Sequence, residues 1–260
     1  DTIRTRTFDE AIIFGSFHQN PLPLALLLRF ADVTLISAIC PDYPGSLLDV
    51  RHNVADDIHE VERNLSLAAA AGYRLPGGDD GTLAIRPPSS GPATSLRHSV
   101  VVHPGASVAA RAWDPLRMRT AVSALAAEGR AVAVTGSPAE TQLTAAVAGQ
   151  DATDLGGRTD LAQLAQVIAH ADVVVTGNTG PAHLAAAVGT PVVSLYAPTV
   201  PASRWRPWMV PHLLLGDQEI GCAGCRARRC PLPVQLCLEG VTAADVKAAV
   251  DWLTLKLETT

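Results

Sequence analysis

The stretch that decides the fold is VVVTGNTGPAHLAAAVGTPVV, residues 173–193. It opens with residues that favour β-strands, continues through a turn of Gly, Asn, Thr and Pro, and enters an alanine-rich segment with high helix propensity. A Gly-Thr-Pro turn ends that segment, and a second apolar run follows. A strand, a tight turn, a helix and another strand form the βαβ unit typical of parallel sheets.

The same alternation of apolar runs and amphipathic segments extends outward from this stretch. Strands are predicted in SVVVHPG, AVAVTG, DVVVTG and TPVVSLYAP. Helices are predicted between them in DPLRMRTAVSALAAEG, PAETQLTAAVAG and TDLAQLAQVIAHA, and Thr159 is the predicted N-cap of the last one. Strands that alternate with helices at this spacing predict an α/β fold with a doubly wound parallel sheet.

The first hundred residues look like part of a second α/β unit. EAIIFGS and TLISAIC are predicted strands, PLPLALLLRFA and IHEVERNLSLAAAAGY are predicted helices, and a segment rich in Gly, Pro and Ser follows. We therefore predict Rossmann-like domains at residues 1–85 and 99–260, joined by a linker at 86–98. Only about two strands are predicted before the linker, which is too few for a sheet of usual size. Because the chain also begins at Asp1 rather than Met, we expect the N-terminal domain to be incomplete.

Composition limits the class of protein. The chain has 260 residues, of which 48% are hydrophobic and only 4% aromatic, so aliphatic side chains must form the core. Its net charge of -5 argues against a nucleic-acid partner, which would require a basic surface. No apolar run reaches the roughly 18 to 20 residues of a membrane span, and no secretory signal opens the chain. We expect a cytoplasmic location, with peripheral contact at the inner face of the membrane left open.

The turn inside the opening stretch is a candidate anion site. Ligands of open parallel sheets bind beyond the carboxyl ends of the strands, where helix N-termini point at them. Asn178, Thr179 and Gly180 would place backbone N–H groups and a hydroxyl at the start of the helix that contains His183. Free donors and the helix dipole favour a phosphate there. The alternative is an ordinary capped helix in which His183 is only packed.

Two other strand ends carry residues that suit a nucleotide. HPGAS, which includes Ser107, follows one strand, and Arg111 comes shortly after it. TGSPAE follows another strand and presents Glu140. A guanidinium can bind a diphosphate, and a carboxylate can accept from ribose hydroxyls. Both charges could instead be solvated surface residues, and His103 is expected to orient its turn rather than to act as a base.

Together and in this order, these motifs resemble the glycosyltransferase family that contains the ADP-heptose:lipopolysaccharide heptosyltransferases. The resemblance runs from about Phe8 to the C-terminus and is most specific between Asp154 and Thr199. It implies the GT-B architecture, with two Rossmann-like domains, the donor on the C-terminal one and the acceptor on the N-terminal one. The implied donor-binding residues are Ser107, Arg111, Glu140, Thr159, Asn178, Thr179, Gly180 and His183. The candidates on the acceptor side are Ser16, His18 and Gln19.

This chain departs from the family pattern at specific places. Asn178 stands where the family commonly has Asp, so a charge is lost while the hydrogen-bonding shape is kept. Arg111 stands where some members carry a lysine that contacts the donor phosphates. The N-terminal Gly-Asp segment, whose aspartate is the family's proposed base, has no counterpart here. The catalytic base is therefore unknown and is expected upstream of Asp1.

The resemblance implies an inverting, metal-independent glycosyltransferase without a cofactor. It would move a heptose-like sugar from a nucleoside-diphosphate donor, most simply ADP-heptose, to an acceptor hydroxyl of a sugar or glycolipid. Two other functions stay open: a GT-B-like epimerase that rearranges its donor, and a non-catalytic protein that binds nucleotide sugars.

The cysteines near the C-terminus form a separate motif. Cys222, Cys225, Cys230 and Cys237 have the spacing C-x2-C-x4-C-x6-C, while Cys40 stands apart. Thiols at such spacing can hold zinc or an iron–sulfur cluster, but zinc sites more often use two close pairs. We expect no bound metal, with free thiols or a disulfide as the favoured state; a metal-thiolate module remains the alternative.

Overall fold

The computed structural model of this protein describes residues 3–88, 96 and 98–258, with side chains as far as Leu255. The chain divides into two compact units, Asp1–Gly81 and Thr82–Thr260. Within the described residues, no helix combines the length and the hydropathy needed to cross a bilayer.

The first unit is a small parallel sheet with two helices. Its strands pair in the order β1-β2-β3, all parallel. The third strand was not predicted, because its sequence Val-Arg-His has no apolar run that marks a buried strand. The elements are β1 (Glu10–Ile13), α1 (Leu22–Phe30), β2 (Leu35–Ile39), β3 (Val50–His52) and α2 (Glu60–Ala70).

The second unit contains the predicted doubly wound sheet. Its strands are all parallel and lie in the order β6-β5-β4-β7-β8-β9. Strands β6 and β9 were missed in the sequence, and β6 has only two residues, too few to show a period. The elements are β4 (Ser99–His103), α3 (Pro115–Ala127), β5 (Ala131–Val134), α4 (Thr141–Ala148), β6 (Thr153–Asp154), α5 (Leu161–Ala169), β7 (Ala171–Gly177), α6 (Gly180–Val188), β8 (Val192–Leu195), α7 (Ala202–Trp205), β9 (His212–Leu215), α8 (Leu236–Glu239) and α9 (Ala243–Glu258).

Both faces of this sheet are buried, as the continuous apolar strands predict. Val100 and Val102 of β4 belong to a core shared with α3, α4 and α9, whereas Val101 points to the opposite core under α5 and α6. Val174 of β7 joins Val101 there, because side chains alternate between faces along a strand. Helices on both faces and parallel strands confirm the predicted α/β fold.

The segment around the predicted linker belongs partly to the second unit. The amide of Ile85 donates to the carbonyl of Ala187 at 2.9 Å. Leu83 and Leu96 pack against the core under α5 and α6. In the sequence, the boundary between the two compact units falls between Gly81 and Thr82. Residues 89–95 and 97 of the predicted linker lie outside the described residues.

The predicted N-cap of α5 is wrong by one residue. Asp160, not Thr159, precedes the first helical residue, and its carboxylate accepts from the amide of Gln163 at 2.8 Å. The side chain of Gln163 in turn accepts from the amide of Asp160 at 2.9 Å, which completes a capping box. A carboxylate is also the better cap, because it complements the helix dipole.

We predict that Asp160→Ala lowers the free energy of unfolding of the second unit by about 0.5–2 kcal/mol, since helix α5 loses its cap. Thr159→Ala is the matched control and should leave stability nearly unchanged. Urea unfolding followed by tryptophan fluorescence measures this unit, because all four tryptophans lie within it. Equal losses from the two substitutions would contradict the assignment of the cap.

Candidate functional site

The candidate site lies where the strand order of the second unit reverses. Successive strands β4, β5 and β6 extend the sheet in one direction, and β7, β8 and β9 extend it in the other. The loops that follow β4 and β7 therefore diverge and leave a crevice beyond the carboxyl ends of these paired strands. The sequence-predicted motifs HPGAS and GNTG are these two loops.

The amino end of α6 carries no side-chain cap. Thr179 occupies the N-cap position, but its hydroxyl turns back toward β7, where it contacts the hydroxyl of Thr176 at 3.2 Å and the carbonyl of Gly177 at 3.4 Å. Apart from the neighbouring residues and the backbone of α6 itself, no atom of the described residues lies within 4 Å of the position of a Cβ at Gly180, so the space in front of the first turn is open. Pro181 has no N–H, and the amide of Ala182 donates to the carbonyl of Thr179 at 3.1 Å. The amides of Thr179 and Gly180 and the positive end of the helix dipole are therefore what this turn can offer to an anion.

Asn178, in the loop after β7, is buried rather than exposed. Its side chain is buried, with 3% of the residue exposed. Within the described residues, its Nδ2 atom has no hydrogen-bond partner. An unpaired buried amide is costly, so this group is expected to gain a partner when a ligand binds.

Arg111 lies at the same end of the sheet, beside the loops that follow β7 and β8. Its Nε atom donates to the hydroxyl of Thr199 at 3.2 Å, and Thr199 follows β8. Its carbonyl oxygen lies 2.7 Å from the position that a Cβ on Gly177 would occupy. Only glycine at 177 permits this approach, which places Arg111 beside the loop of Asn178.

Glu140 links the loops after β4 and β5. Its Oε2 atom accepts from the amide and from the hydroxyl of Ser137, both at 2.7 Å. Its carboxylate also fills the space that a side chain at Gly105 would need. Burial raises the pKa of Glu140, but the hydrogen bonds from Ser137 and the nearby His103 outweigh burial, and the net pKa lies below its ordinary value. Glu140 is therefore an ionised acceptor at neutral pH.

His103 and His183 have different surroundings. His103 is buried at the end of β4, and its Nδ1 atom is 3.0 Å from the hydroxyl of Thr135. Burial lowers the pKa of His103, although Glu140 opposes this effect, so the ring is neutral at pH 7. His183 is half-buried on α6, and its ring packs edge-on against Trp205 at a centroid distance of 5.8 Å.

The other predicted donor residues lie on loops at this end of the sheet. Ser107 is exposed in the loop after β4, and Thr159 is half-buried in the segment before α5. The contacts through Gly105 and Gly177 bring Glu140 next to the first loop and Arg111 next to the GNTG loop.

Sequence reasoning missed the residues that hold the charged groups in place. Thr199 carries no local signal, because its contact with Arg111 spans 88 positions. Ser137 has a local signal, because Ser-x-x-Glu before a helix is a capping box.

The C-terminal cysteines line one cavity of the second unit. Cys222 and Cys225 are exposed and Cys230 and Cys237 are half-buried, and all four border an apolar cavity of about 140 Å³. Burial is the main reason why the pKa of the Cys237 thiol is raised. In the part of the chain that the structure describes, no group of three or more His, Cys, Asp or Glu side chains is placed to hold a metal ion.

The acceptor-side candidates lie on the turn that follows β1 in the first unit. The side-chain oxygen of Gln19 accepts from the amide of Ser16 at 3.0 Å. Gln19 also borders a cavity of about 330 Å³, together with Phe14 and Leu24. His18 is exposed on the same turn.

Relatives with known names share parts of this sequence. Lipopolysaccharide heptosyltransferase 3 of Escherichia coli is 32% identical over 163 residues, which are 59% of this chain and 46% of that protein. The lipopolysaccharide core heptosyltransferase OpsX of Haemophilus influenzae is 47% identical over 45 residues, 17% of this chain and 13% of that protein. The first match therefore spans about half the length of the relative.

Solved structures show the same fold. The E. coli ADP-heptose lipopolysaccharide heptosyltransferase II matches with a TM-score of 0.73 at 22% identity, over 99% of this chain and 80% of that one. The E. coli heptosyltransferase WaaC with ADP matches with a TM-score of 0.69 at 20% identity, over 100% of this chain and 77% of that one. These GT-B heptosyltransferases are structural neighbours, which confirms the predicted fold class.

A family model for glycosyltransferase family 9 (heptosyltransferase) matches residues 4–235. The match covers most of both units and includes the loops of Arg111, Glu140 and Asn178. It confirms the resemblance drawn from the motifs. The chain belongs to glycosyltransferase family 9.

Proposed function

We propose that this protein transfers a heptose from ADP-heptose to a hydroxyl of a lipopolysaccharide-type acceptor, with inversion at the anomeric carbon. The observation that carries the proposal is the uncapped amino end of α6, which faces open space beside Arg111 and the buried amide of Asn178. This is a site for a diphosphate. A structural neighbour of the same fold was determined with ADP, and another is named for ADP-heptose.

The diphosphate leaves with a negative charge, and the site offers two sources of positive potential for it. The first source is the start of α6, where we expect the Thr179 and Gly180 amides to donate to phosphate oxygens, and the second is Arg111, which lies beside the same loop. A guanidinium binds phosphate oxygens through two parallel hydrogen bonds. Donors that are fixed before the reaction stabilise the developing charge without reorganisation. We therefore assign leaving-group stabilisation to these groups and not to a metal.

The remaining predicted donor residues are assigned to the nucleoside and the sugar. Glu140 is ionised and held by Ser137, so it can accept from the ribose hydroxyls. Asn178 cannot supply negative charge, and its unpaired Nδ2 atom would donate to a donor oxygen. Ser107, Thr159 and His183 remain proposed donor contacts.

Neither His103 nor Glu140 fits the role of the base that deprotonates the acceptor. Burial keeps His103 neutral, but its Nδ1 atom is engaged by Thr135. Glu140 has a lowered pKa and is a weak base. We propose instead that both residues shape the donor site, and that the acceptor is bound from the first unit near Ser16, His18 and Gln19.

Product analysis tests the proposed function. The protein expressed from its intact gene, with any residues encoded before Asp1, is incubated with ADP-heptose and a heptose-deficient lipopolysaccharide core, and the products are analysed by mass spectrometry. We expect ADP and a core that is heavier by one heptose, with inverted anomeric configuration by NMR. Rearranged donor without transfer would favour an epimerase. Binding of ADP-heptose without any product would favour a non-catalytic nucleotide-sugar-binding protein.

We predict that Arg111→Ala weakens ADP binding by about 1.5–3 kcal/mol, the range for a hydrogen bond to a charged group. Titration calorimetry with ADP measures the change. Arg111→Lys keeps the charge but loses the planar guanidinium, so it should reduce ADP affinity less than Arg111→Ala does. Arg74→Ala, at an exposed position in the first unit, is the control for loss of one positive charge. Unchanged affinity in Arg111→Ala would place Arg111 outside the site.

We predict that Gly180→Val abolishes detectable ADP binding while the protein stays folded. A branched side chain meets no protein atom within 4 Å of its Cβ, but it would fill the space in front of the helix that the phosphates need. Gly240→Val is the matched control, since a Cβ there also meets nothing. Calorimetry and circular dichroism give the two readouts. Normal ADP affinity in Gly180→Val would show that this turn is only a helix cap.

The protein should lose stability as the pH falls below about 6.5, the ordinary pKa of histidine, in part because of His103. Burial lowers the pKa of His103 in the folded state, so below this pH the unfolded chain binds more protons. Above pH 6.5 the His103 ring is neutral in both the folded and the unfolded state, so its full contribution to stability is present. We predict that His103→Asn flattens the decrease between pH 6.5 and 5, measured by urea unfolding. An unchanged slope would contradict the burial of this ring.

A further inference from the structure

Arg111 is the proposed diphosphate ligand, and its side chain is long and flexible. A free arginine side chain loses rotamer entropy when it is fixed. In this structure the Nε atom of Arg111 already donates to Thr199 at 3.2 Å. Thr199 is buried, with 4% of the residue exposed, so its hydroxyl is itself fixed.

The cysteine loop, defined as residues 222–237, binds the backbone on both sides of this contact. The amide of Ala110 donates to the carbonyl of Arg228 at 3.1 Å, and the side-chain amide of Gln235 donates to the carbonyl of Ala110 at 2.7 Å. On the other side, the amide of Arg226 donates to the carbonyl of Thr199 at 2.9 Å. The residue before Arg111 thus has both of its backbone groups bonded to the loop.

The bonded residues meet around one cavity. Ala110, Thr199 and Gln235 all border the apolar cavity of about 140 Å³ that the cysteine loop lines. The hydrogen bonds from the loop therefore fix the backbone of Ala110, and with it the start of Arg111, beside Thr199.

We propose that Thr199 and Gln235 are positioning residues for the donor site: Thr199 orients the guanidinium of Arg111, and Gln235 fixes the backbone that carries it. The proposal rests on the proposed function, in which Arg111 binds the donor diphosphate. It gives the cysteine loop a role in transfer that needs no metal, because the loop contributes hydrogen bonds rather than thiolates. A binding site whose side chains are already in position binds its ligand more tightly, because less entropy is lost on binding.

Calorimetry with ADP tests this role through matched variants. Thr199→Val keeps the shape and removes the hydroxyl, and we expect ADP affinity to fall about five- to tenfold, as for the loss of one hydrogen bond. Thr199→Ser restores the hydroxyl and should recover most of the affinity. Thr190→Val is the control, because Thr190 is also 4% exposed and its hydroxyl also makes a hydrogen bond, in this case as the donor to the carbonyl of Ile168.

Gln235→Glu keeps the size of the side chain and replaces the donor by a carboxylate oxygen that faces the carbonyl of Ala110. We expect a comparable loss of ADP affinity. Thermal unfolding of each variant shows whether it is folded at the temperature of the titration. If Gln235→Glu is not folded there, Gln235→Met, which removes the donor without adding charge, replaces it.

A double-mutant cycle separates positioning from a general structural effect. If Thr199 and Gln235 act through Arg111, their substitution should cause no further loss of ADP affinity in the Arg111→Ala background. Equal losses in both backgrounds would overturn the proposal, as would unchanged affinity in Thr199→Val and in the Gln235 variant. If Arg111→Ala itself binds ADP with normal affinity, the proposed role of Arg111 in the donor site is overturned instead.

Discussion

The parallel pairing of β4 with β7 is the interaction on which the proposed donor site depends. These strands are far apart in the sequence, and their pairing from Ser99 to His103 brings two loops to one edge. Because the sheet continues outward on both sides, the loops diverge and leave a crevice. The groups assigned to the donor lie on the segments that follow the strands of this sheet and in the first turns of α6.

Two glycines allow the charged residues to approach these loops closely. Gly105 leaves room for the carboxylate of Glu140, and Gly177 leaves room for the carbonyl of Arg111. A side chain at either position would overlap with the neighbouring loop, so the charged residues would have to move. The electrostatics of the site thus follow from backbone packing: an ionised carboxylate and a guanidinium are held in place around the amino end of α6.

The cysteine loop shows how a segment outside the sheet can serve the same site. Its backbone and Gln235 bond to Ala110, while Thr199 bonds to the side chain of Arg111. Ala110, Thr199 and Gln235 also border the cavity that the loop lines. The four thiols line that cavity.

The sequence by itself determined the alternation of strands and helices in the second unit, the glycine-containing turns and the family, because periodicity and turn chemistry depend on residues a few positions apart. It did not determine the cap at Asp160, the short strands β3, β6 and β9, or the partners of the charged residues. The tertiary structure alone decided that Thr199 holds Arg111 across 88 positions and that Gln235 reaches Ala110 across 125. Such contacts follow from the order of strands in the sheet, and no local pattern encodes that order.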